Sequence, residues 1–402
     1  LPHCPTYGVD NDETESPRGR VSIVLALASN TLSKAEASEA LSRCLLCRAC
    51  HASCPAGVRP AKLVQLVRQQ TPIPPTPISR MVHWITNSHR LTALAAYGLA
   101  LYQSSGLQQW LREKDRLETF MPALAKLESL LPEARPKDPI PDFPAETSTD
   151  KPRVALLCSC MARLFHPRTG PATANLLALT GANVTVWQGF GCCGAPFRES
   201  GNRPAFLRQA KRTLDAFLAA GSVDTVLCDS ALCAVTVRSY ARALANDPDY
   251  AAPAKELAAK TEDLTVYLTK HLLSQPVTFG PMNFIRMTYQ DHCQTRFGLG
   301  IIKEPRKLVD ALPVEHLEQT SVSCCGAGGE YMLRYPQRSQ AIRAAKIEAL
   351  IASGVDCVAA SNPGCLLHLE AGLRHTGSKI QVRHLAELLW TSLNSSTAST
   401  RK

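Results

Sequence analysis

From residue 151 onward the chain switches repeatedly between two hydrophobic periods. RVALLC (153–158), NVTVW (183–187) and VDTVLC (223–228) are short apolar runs rich in β-branched residues, which predict strands. Between and after them, TGPATANLLALTG, RPAFLRQAKRTLDAFLAAG and ALCAVTVRSYARAL space their apolar residues by three and four, the pattern of helices. The alternation then returns in NFIRMTY, KEPRKLVDAL, QRSQAIRAAKIEALIASG, VDCVAA and GCLLHLEAGLR. Strands that alternate with helices predict parallel α/β units. Such sheets bind ligands beyond the carboxyl ends of their strands, so distant parts of the chain can meet at one site.

The stretch 71–150 reads differently. It opens on TPIPPTPIS (71–79) and closes on RPKDPIPDFP (135–144). Between these proline runs, MVHWITNSHRLTALAAYGLALY and LQQWLREKDRLETFMPALAKLESLL have helical spacing, so this region is expected to be a helical linker packed against its neighbours.

Of the 402 residues 45% are hydrophobic and 19% charged, which excludes a disordered chain. The longest strongly apolar stretch, 91–102, is too short to span a bilayer. The polar opening LPHCPTYGVDNDETES contains no secretory signal, and it starts with Leu, which leaves room for further chain upstream. The formal charge of +10 is spread along the chain without a run of five like charges, and 6% of residues are aromatic. A basic stripe interleaved with stacking aromatics is missing, so nucleic-acid binding is not expected.

Sixteen cysteines change the picture. Two adjacent pairs, Cys192-Cys193 and Cys324-Cys325, cannot close on themselves. Neighbouring Cα atoms lie about 3.8 Å apart, whereas disulfides span about 4.4–6.8 Å. Clustered cysteines without a secretory signal point to thiolates that hold metal in a reducing compartment. Cys160, Cys192, Cys193 and Cys233 return as Cys293, Cys324, Cys325 and Cys365, displaced by 132 or 133 residues. Each pair is followed by glycine, Gly194 or Gly326. That agreement marks an internal duplication. Four thiolates per repeat suit an iron–sulfur cluster or a Zn²⁺ ion with an all-sulfur shell. The glycines are expected to let the backbone approach the metal closely, and Gly326, Gly328 and Gly329 read as part of the cluster loop, not a phosphate cradle. Cys158, Cys228 and Cys357 read as small buried hydrophobes, with a fifth ligand as the sharper alternative. His292, His316, His368 and His384 lack partners at metal spacing and read as packing or surface residues.

Upstream, Cys44, Cys47, Cys50 and Cys54, followed by Pro55, form the C-x2-C-x2-C-x3-C-P run of bacterial ferredoxins, a [4Fe-4S] signature. A zinc ribbon would separate its cysteine pairs by a longer spacer. Cys47 to His51 also fits the c-type haem signature, but haem would leave Cys44 and Cys54 unexplained. Cys4-Pro5 matches the end of such a run. In two-cluster ferredoxins the fourth cysteine serves the other cluster. Cys4 is therefore expected to complete the site of Cys44, Cys47 and Cys50. Cys54 would serve a second cluster whose other ligands precede residue 1. No catalytic nucleophile with its base, no nucleotide fingerprint and no P-loop is visible.

With CPTYGVDNDETESPRGR (4–20), CLLCRACHASCPAGVR (44–59), FGCCGAPF (190–197), SCCGAGGEY (323–331) and NPGCLLHL (362–369), the chain resembles the iron–sulfur subunits of bacterial glycolate oxidase. These belong to a wider group with duplicated cysteine-rich CCG repeats, which includes heterodisulfide reductase subunits and the small subunit of anaerobic glycerol-3-phosphate dehydrogenase. The resemblance covers essentially the whole chain. Ser230 and Asn362 stand where the wider repeat has a further cysteine, which argues against five-cysteine, non-cubane clusters. Cys158 and Asp291 likewise occupy corresponding places.

The expected architecture is α+β and α/β multidomain. A helical ferredoxin-type domain (1–70, incomplete at its start) is followed by the linker (71–150), and then by CCG repeats at 151–275 and 276–402. The resemblance implies a subunit that passes electrons, one at a time, from a partner FAD-containing 2-hydroxy-acid dehydrogenase towards a quinone or other acceptor. A third subunit, a cytoplasmic location and peripheral contact with the inner face of the cell membrane accompany that reading. The chain alone is not expected to turn over glycolate. The alternatives are the equivalent subunit for glycerol 3-phosphate, lactate or a heterodisulfide, and a zinc-bearing scaffold in the CCG half. An iron-sensing regulator is disfavoured because no DNA-binding motif appears.

Overall fold

The computed structural model describes residues 4–113, 117, 121–133, 151–187, 190–319 and 324–399. Two four-stranded parallel sheets dominate it. The first contains β1 (Arg153–Leu157), β2 (Asn183–Val186), β3 (Thr225–Cys228) and β4 (Thr261–Asp263), in the order β2-β1-β3-β4. The second contains β5 (Arg286–Tyr289), β6 (Glu315–His316), β7 (Cys357–Ala360) and β8 (Gln381–His384), in the order β6-β5-β7-β8. The duplication extends to single hydrogen bonds. The Arg153 amide donates to Asp224 Oδ2 at 2.8 Å, and the Arg286 amide donates to Asp356 Oδ2 at the same distance.

The inner strands and the long helices fall where the hydrophobic pattern places them. That pattern does not reveal β4, β6 and β8. These strands are two to four residues long and partly polar, and β4 and β8 run directly into the helices Leu264–His271 and Leu385–Ser399. Edge strands this short carry little alternation, and pairing with the neighbouring strand makes them.

The strand period of two decides which core each side chain joins. Val154 and Leu156 of β1 point into one cluster with Met287 and Tyr289 of β5, Ala359 of β7 and the central helices. Ala155 and Leu157 point the opposite way, against Leu214 and Phe217 of the helix Arg203–Ala219. Val358 and Ala360 of β7 face Ile347 and Leu350 of the matching helix Pro336–Ala352. The sheets therefore share a middle layer. In it the helix Thr169–Leu179 of the first repeat packs on Leu385–Ser399 of the second, and Leu264–His271 packs on Lys303–Asp310. The Thr169 hydroxyl donates to Glu387 Oε1 at 2.5 Å within this buried seam.

The amino-terminal region is helical. Pro17–Ala28, Lys34–Ser42 and Pro60–Gln70 enclose Leu41, Leu46, Val64 and Val67. Ser16 caps the first of these helices, and Ser33 with Glu36 forms a capping box on the second. In the linker the helices Pro77–Thr86, His89–Ser104, Leu107–Arg112 and Pro122–Glu128 follow the expected spacing, while the proline run at 135–144 lies outside the described residues. His89–Ser104 packs on Cys160–Phe165, the helix that begins at the first of the four duplicated cysteines in repeat one. No helix among the described residues is long and apolar enough to cross a membrane.

Because the middle layer is shared, the repeats should unfold together. Leu388→Ala, at a site 1% exposed, should cost about 2–5 kcal/mol. In denaturant titrations followed by hydrogen exchange, protection of β1 and of β5 should fall in one transition. Loss confined to the second repeat would show that the two cores are independent.

Candidate metal centres

The CLLCRAC loop folds around left-handed turns at non-glycine residues. Leu46 has φ 53° and Arg48 φ 66°, a conformation that costs energy and survives only where the surroundings impose it. Buried Arg68 imposes it from below. Its guanidinium donates to the carbonyls of Leu41, Ser42 and Cys44 at 2.8, 3.0 and 2.6 Å. The Leu46 amide turns towards Cys44 Sγ at 3.4 Å.

Cys4, Cys44, Cys47 and Cys50 line a single cavity with Pro5, Thr6 and Arg20, and Cys54 is outside that lining. The Cys4 thiol is held by Thr6 Oγ1 at 3.3 Å and by the Arg20 guanidinium at 3.5 Å. Arg20 also donates to Thr6 Oγ1 and to Glu15 Oε2, both at 2.8 Å. Glu15, fully buried, takes a second cation in Arg43 at 2.5 Å. Breaking a buried pair of this kind typically costs about 3–5 kcal/mol, because it leaves a charge unanswered. Sequence reading missed Glu15, Arg20 and Arg68. In ETESPRGR and LVRQQ they look like solvated helix charges, and the one available signal for the first two is their place in the stretch after Cys4.

In the second repeat Cys325 Sγ lies 2.8 Å from Cys365 Sγ, and Asn362 Nδ2 donates to Cys365 Sγ at 3.2 Å. Burial and the neighbouring Cys324 and Cys47 push the Cys293 thiol up. In the first repeat Cys160, Cys192, Cys193 and Cys233 are gathered closely enough that Cys160 and Cys193 push the Cys192 thiol up and Cys193 pushes Cys233 up. The same amide contact recurs in both: Gly194 N to Cys192 Sγ and Gly326 N to Cys324 Sγ, each at 3.4 Å. All sixteen thiols are free.

The glycine after each pair has φ 81°. It is also required by the helix behind it, since a Cβ on Gly326 would sit 2.5 Å from the Ser339 carbonyl oxygen. Gly328 has a different task. A Cβ there would meet Leu45 Cδ2 at 2.2 Å, so its absence lets the second repeat's loop press against the CLLCRAC loop. Cys47 and Cys324 pack against one apolar cluster of Leu45, Tyr331 and Ile342. Two of the thiol groups thus meet at one cluster, near enough for Cys324 to help push the Cys47 thiol up. The repeats also meet at Ser230 and Asn362, the positions without the further cysteine, whose side chains share a 2.7 Å hydrogen bond.

Cys158, Cys228 and Cys357 are buried in the apolar cores. His292, His368 and His384 are buried too, and burial holds His292 and His384 near a pKa of about 4 and His368 near about 3, neutral at pH 7. His292 accepts from the Ser361 amide at 2.7 Å and His384 contacts the Asp229 carbonyl at 3.0 Å, both packing roles. His316 pairs with Asp310 at 2.6 Å.

The donor chemistry fits iron–sulfur centres. Burial, followed by Cys44, pushes the Cys50 thiol up to about 11, and burial, followed by Cys324, raises Cys47 well above its ordinary value. Thiolates crowded in this way stay ionised only around a strongly positive centre, and ligation supplies one. Among the described residues no three His, Cys, Asp or Glu side chains converge as a single metal ion requires. The four amino-terminal thiols instead surround a space.

Comparison with known proteins agrees with this geometry. A family described as a 4Fe-4S dicluster domain matches residues 1–58, and one described as a cysteine-rich domain matches 154–238 and 287–370. The "Probable glycolate oxidase iron-sulfur subunit" of Bacillus subtilis is 30% identical over 97% of this chain and 91% of that protein. The "Glycolate oxidase iron-sulfur subunit" of Escherichia coli is 26% identical over the same shares. "Lactate utilization protein A" of Bacillus subtilis is 30% identical over 59% of this chain and 98% of its own length. With a ferredoxin-type region, two CCG repeats in parallel α/β sheets and this full-length likeness, the chain belongs to the family of glycolate oxidase iron–sulfur subunits.

Proposed function

We propose that this protein is the electron-transfer subunit of a 2-hydroxy-acid-oxidising complex, taking electrons from a partner flavoprotein and delivering them towards a quinone or another acceptor. The observation that carries the reading is the adjacency of Cys47 and Cys324 against one apolar cluster, which joins the ferredoxin-type thiols to those of a CCG repeat. When bound, iron–sulfur clusters supply one-electron redox chemistry at such thiols. In this reading Cys4, Cys44, Cys47 and Cys50 hold one [4Fe-4S] cluster. Cys160, Cys192, Cys193 and Cys233 hold the metal of the first repeat, and Cys293, Cys324, Cys325 and Cys365 that of the second. Cys54 serves a cluster other than that of Cys44, Cys47 and Cys50.

The chain's own residues tune and shield these sites. Arg20 places a guanidinium against Cys4, and backbone amides point at Cys44, Cys192 and Cys324, donors that favour negatively charged sulfur. Leu45, Tyr331 and Ile342 keep water from the junction between the first and third groups. Likeness to a glycolate oxidase subunit makes glycolate the favoured donor, with lactate second on the likeness to a lactate utilization protein.

The test is reconstitution. Mixed anaerobically with a purified FAD-containing 2-hydroxy-acid dehydrogenase, the metal-loaded chain should be bleached by glycolate, while the chain alone should neither retain flavin nor respond. Bleaching by lactate or glycerol 3-phosphate but not by glycolate would reassign the donor. No bleaching by any of them would end the electron-transfer reading.

Metal content separates the ligand sets. The protein loaded with iron and sulfide should lose about four iron atoms in Cys4→Ala and keep them in Cys54→Ala, because the cysteine before proline ligates the other run's cluster. The reverse result would refute the crossed arrangement.

Cys193→Ser and Cys325→Ser should each remove the metal of one repeat and leave the other loaded, as elemental analysis and electron paramagnetic resonance would record. Full metal content in both variants would make the pairs structural. Zinc in place of iron after anaerobic reconstitution would make the CCG half a scaffold.

A further inference from the structure

A cavity of about 1010 Å³ opens where the ferredoxin-type region, the first repeat and the segment after Cys293 meet. Its volume lies at the upper end of ordinary small-molecule sites. Eight arginine and lysine side chains line it, against one carboxylate, Glu199. The balance is more one-sided than that count. Burial pushes the Glu199 carboxyl up, towards its neutral form. Arg48, Arg238 and Arg242 make no salt bridge among the described residues, whereas Arg296 is already answered by Asp291 at 2.9 Å.

The floor holds the second, independent observation. Arg198 is 7% exposed, and its Nε has no hydrogen-bond partner among the described residues. Its other nitrogens reach only the Val235 carbonyl at 3.3 Å and Glu199 at 3.7 Å. Beside it, in the same lining, stands Arg48, a like charge that faces Arg198. A buried donor without a protein acceptor, next to a like charge, is satisfied when an anion supplies both acceptor and counter-charge. Phe297 and Leu299 add an apolar wall, which suits a molecule with a carbon body.

We propose that this cleft binds a small organic polyanion, a molecule with at least two phosphate or carboxylate groups. Arg48 and Arg198 take one anionic group at the floor. Arg238 and Arg242, exposed at the mouth, take another. The cleft is concave and built from three segments of one chain, which favours a small molecule over the acidic face of a partner protein. The arginines reach towards Cys193 and Cys293 as well, so bound anion and loaded metal sites would sense each other electrostatically.

The experiment is calorimetric titration of the metal-loaded protein with inorganic pyrophosphate at low ionic strength. Saturable binding is expected, weakening as salt is added. Arg238→Gln with Arg242→Gln should lower the affinity by about tenfold or more, since each removes a charge-assisted hydrogen bond. Both side chains are exposed and make no salt bridge among the described residues, so the fold and metal content should be unchanged. Arg18→Gln, on a distant surface ion pair with Glu13, should leave binding intact. Absence of saturable binding, undiminished binding in the double variant, or binding of hexaglutamate without binding of pyrophosphate would overturn the proposal. None of these outcomes depends on the identity of the electron donor.

Discussion

The shared middle layer is the constraint on which the rest of the molecule depends. Neither sheet can bury its inner face alone. Val154 and Leu156 need Met287, Tyr289 and the helix Leu385–Ser399 of the other repeat, and the second sheet needs the helix Leu264–His271 of the first. Burying both faces in one core turns the two sets of strand carboxyl ends towards each other, as the Ser230–Asn362 hydrogen bond records. The cysteines after those strands are thereby gathered into one region. The amino-terminal thiols can reach it only because a third segment fits into the same junction.

That third segment is held by buried charge, not by a large apolar core. Glu15 gathers Arg20 and Arg43, and Arg338 of the second repeat approaches it at 3.2 Å. A buried ion pair adds little net stability over an apolar replacement, but it punishes misplacement severely. Here it sets Cys4 against Thr6 and Arg20, forty residues away in sequence from the three cysteines whose cavity it lines. Arg68 plays the same part for the CLLCRAC loop by satisfying three carbonyls at once.

Electrostatics then connects the thiol sites with the basic cleft. Buried thiols repel one another once ionised, and the cations around them, Arg20 at Cys4, Arg198 near Cys193 and Arg48 near Cys293, favour the ionised form. Some of that positive charge exceeds what Glu199, the one carboxylate in the cleft's lining, can balance, and this excess makes the cleft basic.

Spacing determined what was legible in the amino-acid sequence. The C-x2-C-x2-C-x3-C-P run, the duplication at a displacement of 132 or 133 residues, and the alternation of strand and helix are local or periodic signals, so they survive without coordinates. The expected gathering of Cys4 with Cys44, Cys47 and Cys50 could be written down because ferredoxin runs exchange their fourth cysteine. Contacts between remote segments left no such mark. The edge strands β4, β6 and β8 exist through pairing, Glu15 and Arg20 look like surface charges until they are buried, and Gly328 reads as a cluster glycine until Leu45 is found against it. Only the tertiary structure decided that Cys47 and Cys324 are neighbours and that cations from three segments line one cleft, because both depend on the packing of the two repeats into a common core, which no local pattern encodes.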